Sequence, residues 1–352
     1  MAAPMELLDF ALQNEDFDLV FHLLLDGAPD RQPTYDPEWP RFALDNYTDD
    51  QAWNYFRFFP EDIRNLVREL NLPPRFRVSN GCVASGLDVL CMVLRRFVYP
   101  NRLVELEPFF GRPFTTISMF VNEMVDFLFE QHQQRLKLDN PWMDQHHLQL
   151  YADTIADKGA PLDNVIGFID GTVRPICRPT RYQRVCYNGH KRIHAIKFQS
   201  IVIPNGLIAH LYGPMEGRRH DCALLAASGL MAEMEHLPMD RLGRKFAVYG
   251  DPAYPIRTYL LSPFGGANLN VAQMEFNRRM SSVRECVEWE FGNILRLFAF
   301  LDFRKDLKVL LSPVAKYYMV GALLTNCHTC LYGNQTSTYF GLDPPSLQEY
   351  LH

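Results

Sequence analysis

The chain has 352 residues, of which 47% are apolar and 22% are charged, and this is the composition of a globular protein with a sizeable core. The composition excludes an intrinsically disordered chain, and no apolar run is long enough to predict a membrane span. The net charge of −6 by itself argues against a nucleic-acid partner, because that affinity depends on Lys and Arg side chains that neutralise phosphates.

The charge is unevenly distributed along the chain. Residues 1–70 contain 15 acidic and 5 basic side chains, which leaves 30 basic and 26 acidic side chains in the remainder. The segment 171–215 contains no Asp or Glu. Its seven cations, which we predict to form a DNA-binding surface, are Arg174, Arg178, Arg181, Arg184, Lys191, Arg192 and Lys197. A solvated loop with an accidental bias of charge is the alternative interpretation.

Residues 1–55 form an acidic segment with several prolines, for which we predict a partner-binding arm. The apolar spacing predicts an amphipathic helix over Glu6–Leu25, followed by a loop over Pro29–Pro40. The start of the chain lacks the basic residues and the small-residue cleavage site of a signal peptide. We therefore expect the protein on the cytosolic or nuclear side of the membrane.

Residues 56–138 have the apolar spacing of helices and are predicted to form a helical domain. A Gly-Arg-Pro turn at 111–113 separates a short helix from a longer one, which Thr115 or Thr116 can cap. Two helices joined by a tight turn are typical of the helix-turn-helix of many DNA readers. An ordinary helical hairpin fits equally well, because acids are poor groove readers and the exposed face of the longer helix carries Asn122, Glu123 and Asp126.

Two short strands beyond this region each end at an acid. Residues 139–160 are polar, and we predict a linker there. Val165–Ile169 is then a continuous apolar run that ends at Asp170, as in a strand buried on both faces. A second strand of this kind, over Phe246–Gly250, ends at Asp251.

Further elements complete an α/β pattern. Between the two strands we predict a hairpin with its turn at Pro204–Gly206, and a helix over Asp221–Met231. After them we predict one long helix, Phe276–Phe300, with inward residues Val283, Val287, Phe291, Ile294 and Phe298. This order is typical of a mixed α/β sheet rather than of repeated βαβ units. We assign 161–332 to the α/β domain and 333–352 to a C-terminal tail with one short helix.

Three acids in this domain are candidate metal ligands. Asp170 and Asp251 follow central strands, and ligands gather at such ends in open α/β sheets. Glu288 lies at the margin of the inward face of the long helix, and Arg284, one turn earlier, is close enough to orient it. Buried carboxylates need a cation, and three of them can hold two Mg²⁺ ions that assist phosphodiester hydrolysis. The structural alternative is two strand-end turn residues and one solvated helix acid.

Five motifs surround these acids. They are Asp170-Gly171-Thr172, Gly217-Arg218-Arg219-His220-Asp221, Gly250-Asp251-Pro252-Ala253-Tyr254, Phe276-Asn277-Arg278-Arg279-Met280 and Arg284-Glu285-Cys286-Val287-Glu288-Trp289-Glu290-Phe291-Gly292. In this order and spacing they resemble the PIF/Harbinger superfamily of DDE transposases. The resemblance covers about residues 85 to 330, and the spacing of 37 between Asp251 and Glu288 agrees with it.

The resemblance implies an RNase H-like catalytic domain in which Asp170, Asp251 and Glu288 hold two Mg²⁺ or Mn²⁺ ions. It also implies cut-and-paste transposition, in which terminal inverted repeats are recognised, DNA is hydrolysed and a 3′-hydroxyl is joined to target DNA. Glu290 competes as the third ligand, but Glu288 falls three residues before Phe291-Gly292, as in the family pattern.

Supporting residues and partners follow from the same resemblance. Asp221 is interpreted as a helix cap or a support for the metal ligands rather than as a direct ligand. His220 can contact phosphate or metal-bound water, with a structural role as the alternative. Family members work with a separate Myb-like protein that binds DNA and assists nuclear entry. We therefore expect DNA, a Myb-like accessory protein and further copies of this chain as partners, and a nuclear location, or a cytoplasmic one without that accessory protein.

Three functions remain open at this point. The first is an active transposase, and the second is a host-domesticated nuclease that keeps the acids but mobilises no element. The third is a derivative that binds DNA or protein without catalysis.

Overall fold

The computed structural model describes residues 38–309 and 311–352. The predicted helix over Glu6–Leu25 and most of the predicted N-terminal arm lie outside the described residues.

The first part of the described chain is helical, with one small hairpin. Its helices and strands are α1 Asp49–Phe56, α2 Pro60–Glu69, β1 Arg75–Arg77, β2 Val83–Ser85, α3 Gly86–Val98, α4 Glu107–Phe110 and α5 Phe114–His132. α3 and α5 pack together through fully buried residues, among them Leu94, Phe97, Phe120 and Val125. The helical content predicted for this region is thus present.

The segment expected to be a linker is folded instead. Asp144 accepts a hydrogen bond from the backbone N–H of His147 at 2.8 Å and so caps helix α6, Gln145–Asp157. The buried face of α6, which includes Leu148 and Ile155, packs against the first strand of the large sheet. The polar composition of 139–160 reflects the exposed face of this helix, so the prediction of a linker was wrong.

The large sheet lies in the second part of the chain. Its strands are β3 Val165–Pro175, β4 Tyr187–Asn188, β5 Ile193–Val202, β6 Ile208–Glu216, β7 Ala247–Tyr249 and β8 Leu260–Leu261. β5 pairs antiparallel with both β3 and β6, whereas β7 pairs parallel with β3 and with β8. The sheet is therefore mixed, as predicted, and β5 and β6 form the predicted hairpin.

β3 extends further than the sequence predicted. Its apolar run ends at Ile169, but the backbone continues to pair with β5 as far as Pro175, opposite Ala195. The parallel partner β7 ends earlier, with Tyr249 opposite Phe168. The parallel pairing of β3 with β7 therefore stops near the centre of β3. Beyond that point the edge of β3 that faces β7 is open.

Helices cover the sheet and close the fold. They are α7 Gln183–Cys186, α8 Asp221–Ala227, α9 Leu230–His236, α10 Val271–Arg284, α11 Cys286–Leu297, α12 Val314–Tyr332, α13 Gln335–Phe340 and α14 Leu347–Leu351. The predicted helix from Asp221 is divided at Gly229, which has a left-handed backbone with φ 70°. The predicted long helix begins earlier, at Val271, and is divided at Glu285. Its predicted inward residues are all buried.

The C-terminal tail contains two helices rather than the predicted one. Asn334 caps α13 through the backbone N–H of Ser337. Ser346 and Glu349 form the predicted capping box of α14. Tyr350 is fully buried, so the tail is part of the core.

The longer helix of the predicted helix-turn-helix or hairpin, α5, contacts another helix of the chain through part of its polar face. The turn before α5 is present, with Gly111 at φ 59°, but Pro113 precedes the helix in place of a threonine cap. Tyr317 of α12 donates a hydrogen bond to Asn122 at 2.5 Å, and Lys316 contacts Asp126 at 2.5 Å. Two polar side chains of α5 therefore hold α12, and a helix-turn-helix that reads DNA is not confirmed. Among the described residues, no helix combines the length and hydropathy needed to cross a bilayer.

Candidate metal centre

Asp170 lies in the middle of β3, opposite Ser200 of β5, where the sheet loses β7. Its Oδ1 accepts a hydrogen bond from the backbone N–H of Gly171 at 2.8 Å. Burial raises the pKa of Asp170 to about 6, and the charges of Asp251 and Glu288 raise it as well. The three acids are therefore close enough for their charges to interact.

Asp251 follows β7 and begins a tight turn. Its Oδ1 accepts a hydrogen bond from the backbone N–H of Ala253 at 3.0 Å, which holds the carboxylate at this end of the strand. Gly250 precedes it, and a Cβ at that position would lie 2.9 Å from the Ile169 side chain. β7 and β3 can approach this closely because residue 250 has no side chain.

Glu288 comes from the helical layer. It lies one turn beyond the division at Glu285, and its backbone N–H bonds to the carbonyl of Glu285 at 3.1 Å, so the start of α11 is wound more tightly than an α-helix. Its side chain is exposed, in agreement with a position at the margin of the buried face. The three predicted acids thus come from one strand, one strand end and one helix.

Arg284 has a different partner from the one expected. Its Nη2 lies 3.4 Å from Oδ2 of Asp170, and both side chains are largely shielded from solvent. The cation lowers the pKa of Asp170 and so opposes the effect of burial. The sequence had suggested that Arg284 orients Glu288, one turn away on the same helix, but the fold brings it to the strand acid.

The donor set fits a hard divalent cation by its chemistry, since Mg²⁺ prefers carboxylate oxygens. Burial disfavours the charged form of Asp170, and a bound cation would favour it. In 38–309 and 311–352, however, no three His, Cys, Asp or Glu side chains are near enough to one another to hold a single ion. The charges of the three acids interact, but the side chains do not form a coordination shell in this structure.

Asp221 does not cap a helix. The N-cap of α8 is His220, which makes no side-chain cap, and Asp221 is the first residue of the helix. Its carboxylate accepts a hydrogen bond from Lys197 Nζ at 2.8 Å. A Cβ on Gly171 would lie 2.9 Å from Oδ1 of Asp221, so this fourth carboxylate adjoins the residue after Asp170. Capping was therefore the wrong interpretation, whereas support of the acid cluster remains a prediction.

Tyr254 is a site residue that sequence reasoning did not single out. Its side chain is 2% exposed, and its hydroxyl has no hydrogen-bond partner in the described part of the chain. Burial raises the pKa of Tyr254 well above its ordinary value, and the charges of Asp221, Asp170 and Asp251 raise it further. The signal was its place three residues after Asp251, where a turn can bring a side chain back to the strand end.

Five of the seven predicted DNA-binding cations are exposed, namely Arg178, Arg181, Arg184, Lys191 and Arg192. The other two point into the molecule, because they lie on central strands. Arg174 donates to Thr172 Oγ1 at 2.7 Å and lies 5.6 Å from the ring centre of Tyr318. Lys197 is 7% exposed and pairs with Asp221. For Arg174 and Lys197 a place on an exposed phosphate-binding surface is therefore wrong.

Glu290, the competing third acid, is buried away from the other acids. It is 1% exposed and accepts hydrogen bonds from Asn334 at 2.9 Å and from Thr336 at 2.7 Å. Burial raises the pKa of Glu290 to about 7. These contacts tie α11 to α13, so Glu290 has a structural partner set, and Glu288 is the better candidate.

Two comparisons with known proteins give matches. The family described as "DDE superfamily endonuclease" matches residues 169–326, a range that contains all three candidate acids. The chain is 24% identical over 235 residues to "Protein ALP1-like" of Arabidopsis thaliana, an alignment that covers 63% of this chain and 55% of that protein. The chain thus spans about half the length of that curated relative. No solved structure matches the chain.

Proposed function

Because the chain belongs to the Harbinger-derived family of DDE superfamily endonucleases, we propose that it cleaves DNA with divalent metal ions held by Asp170, Asp251 and Glu288. The observation that carries the proposal is the electrostatic state of Asp170. Its carboxyl is buried at an open edge of the sheet, and two further acids from other elements act on it. A buried carboxylate with two further acids acting on it is stabilised in its charged form by a bound cation.

The roles of the residues follow from their contacts. Asp170 and Asp251, at the end of the β3–β7 pair, and Glu288, on α11, supply the carboxylates. Two Mg²⁺ or Mn²⁺ ions would supply activation of the attacking oxygen and stabilisation of the leaving oxygen when bound. Arg284 favours the ionised form of Asp170, which is the form able to bind metal. Lys197 holds the carboxylate of Asp221 beside Gly171.

The wider activity is also a proposal. It comprises recognition of terminal inverted repeats, hydrolysis at the element ends and joining of the 3′-hydroxyl to target DNA. A mixed sheet with two acids at the edge of its central parallel pair supports an RNase H-like catalytic domain. The proposed partners are DNA, a Myb-like accessory protein and further copies of the chain, and the proposed location is the nucleus. The exposed cations at 178–192 support contact with DNA.

Two related functions use the same features. A domesticated nuclease would cut DNA without mobilising an element, and a binding derivative would not cut at all. Cleavage measurements decide between them.

The test is nicking of supercoiled plasmid and of labelled duplex oligonucleotides with Mg²⁺ or Mn²⁺, with and without a Myb-like protein. We expect metal-dependent cleavage that Asp251→Ala abolishes while thermal unfolding stays cooperative. Asp157→Ala, which removes an exposed acid at the end of α6, is the matched control and keeps activity. An inactive wild-type protein that still binds DNA would overturn the nuclease proposal and support the binding derivative.

A further inference from the structure

A second charged site lies just beyond the C-terminal end of β3. It is a cleft of about 320 Å³, and its polar side chains are Arg178, Arg192, His194, Arg304 and Lys305. The first three come from the β3–β5 region and the last two from a turn before α12. Arg304 and Lys305 were not among the predicted DNA-binding residues, because they lie more than 100 positions further along the chain.

Backbone hydrogen bonds hold the two walls of the cleft together. The N–H of Ile176 donates to the carbonyl of His194 at 2.9 Å, which extends the pairing of β3 with β5. The N–H of the next residue, Cys177, donates to the carbonyl of Leu307 at 2.9 Å, which attaches the turn to the end of β3. Backbone hydrogen bonds at the edge of the sheet therefore fix the positions of the two walls of the cleft.

The turn contains one acid, Asp306, that pairs with a buried cation elsewhere in the fold and so holds the turn in place. Asp306 follows Lys305, but its carboxylate contacts Nη2 of Arg96 at 3.1 Å. Arg96 is 8% exposed and lies 4.0 Å from the ring centre of Phe300. Asp306 is engaged by this buried cation, and Arg304 and Lys305 are exposed and form no ion pair with it.

The cations of the cleft are unpaired within the described ranges. None of Arg178, Arg192, Arg304 and Lys305 forms an ion pair there, and the guanidinium of Arg178 donates to the neutral Gln183 at 3.0 Å. Like charges gathered in a concave surface repel one another, and a bound anion relieves that repulsion. On a chain whose net charge is −6, such a cluster points to an anionic ligand.

The distance from the acids indicates which anion. Cys177 follows Asp170 by seven residues, and an extended chain rises about 3.3 Å per residue, so the cleft lies about 23 Å from the candidate metal centre. Phosphates of one duplex strand are spaced about 3.4 Å apart along the axis. We propose that the cleft binds a DNA backbone phosphate several nucleotides from the bond that is cut. This inference rests on the proposed nuclease function for its register, but not for the binding of the phosphate.

The first test measures DNA binding without catalysis. The variant Arg304→Glu/Lys305→Glu is compared with Arg77→Glu/Arg102→Glu, which reverses two exposed cations of the helical part that form no ion pair in the described part of the chain. Fluorescence anisotropy with a 30-base-pair duplex in EDTA gives the affinity at several salt concentrations. We expect the cleft variant to bind about tenfold more weakly and to lose about two from the slope of log affinity against log salt. The control should keep the wild-type slope.

Folding and register are checked separately. Arg304→Gln/Lys305→Gln removes charge without adding acids, and it should reproduce the change of slope with an unaltered melting temperature. At a mapped cleavage position, neutral methylphosphonates are then placed one by one along the strand. We expect interference at one position several nucleotides from the cut in the wild type and none there in the cleft variant.

The outcomes are distinguishable. An unchanged salt slope in both cleft variants overturns the proposal, whether or not the protein cuts DNA. A lower slope in a protein that cuts nothing supports phosphate binding while the nuclease function fails. Interference at another distance, with a lower slope, overturns the register.

Discussion

Nη2 of Arg284 lies 3.4 Å from Oδ2 of Asp170, and so a cation on the helical layer pairs with an acid on the central strand. The same helical layer leads, four residues later, to Glu288. A movement at the division after Arg284 would therefore change both the pairing of Asp170 and the position of the third acid. This link makes the ionisation of Asp170 sensitive to residues that are far from it in sequence.

Arg284→Met is expected to raise the pKa of Asp170 above about 6, because the cation that favours the charged carboxylate is lost while burial remains. The pKa can be measured by NMR titration of protein with ¹³C-labelled aspartate, in metal-free buffer. Arg278→Met is the control, since Arg278 is exposed and pairs with Glu275 on its own helix. A pKa of Asp170 that stays the same or falls in Arg284→Met would show that the pair has no electrostatic role.

Lys197→Met is expected to destabilise the protein by about 2 kcal/mol, because it leaves the Asp221 carboxylate beside Gly171 without its cation. Lys197→Met/Asp221→Asn should recover part of this loss, since the unpaired charge is then gone. Urea unfolding of the four proteins of the cycle gives the coupling energy. Two single-variant losses that simply add would show that the pair at 2.8 Å contributes no specific interaction.

His328 and His210 should make the fold sensitive to mild acid. Burial lowers the pKa of each to about 4, from an ordinary value of 6.5. The pKa of each histidine is lower in the folded protein than in the unfolded chain. The free energy of unfolding is therefore highest above pH 6.5 and decreases as the pH falls toward 4. Each shift corresponds to at most about 3 kcal/mol.

The substitution that tests this is His328→Phe, which keeps an aromatic ring against Trp53, Phe58 and Tyr332. We expect it to reduce the loss of unfolding free energy between pH 6.5 and 4 by about 2 to 3 kcal/mol. His190→Phe, at an exposed histidine, is the control and should leave the pH profile unchanged. Equal pH profiles for wild type and His328→Phe would show that His328 titrates in the fold as it does in the unfolded chain.

The sequence by itself determined the elements whose signals are local. The apolar run at Val165–Ile169 predicts a buried strand, and the turn at Pro204–Gly206 predicts the β5–β6 hairpin; both are present. The inward residues of the helix around Glu288 follow from their spacing of three and four. The three candidate acids were found in the same way, because each stands next to a recognisable element and within a recognisable motif.

The tertiary structure alone decided which side chains meet. The sequence predicted that Lys197 is free to bind DNA, but the register of β5 places it beside Asp221. The sequence also predicted that Arg284 orients Glu288, but Arg284 pairs with Asp170. The sequence also did not show that Arg304 lines a cleft with Arg178 and Arg192, because a backbone hydrogen bond attaches the turn before α12 to the end of β3. Composition and periodicity describe a residue and its near neighbours, whereas charge pairing, burial and pKa depend on atoms that folding brings together from distant parts of the chain.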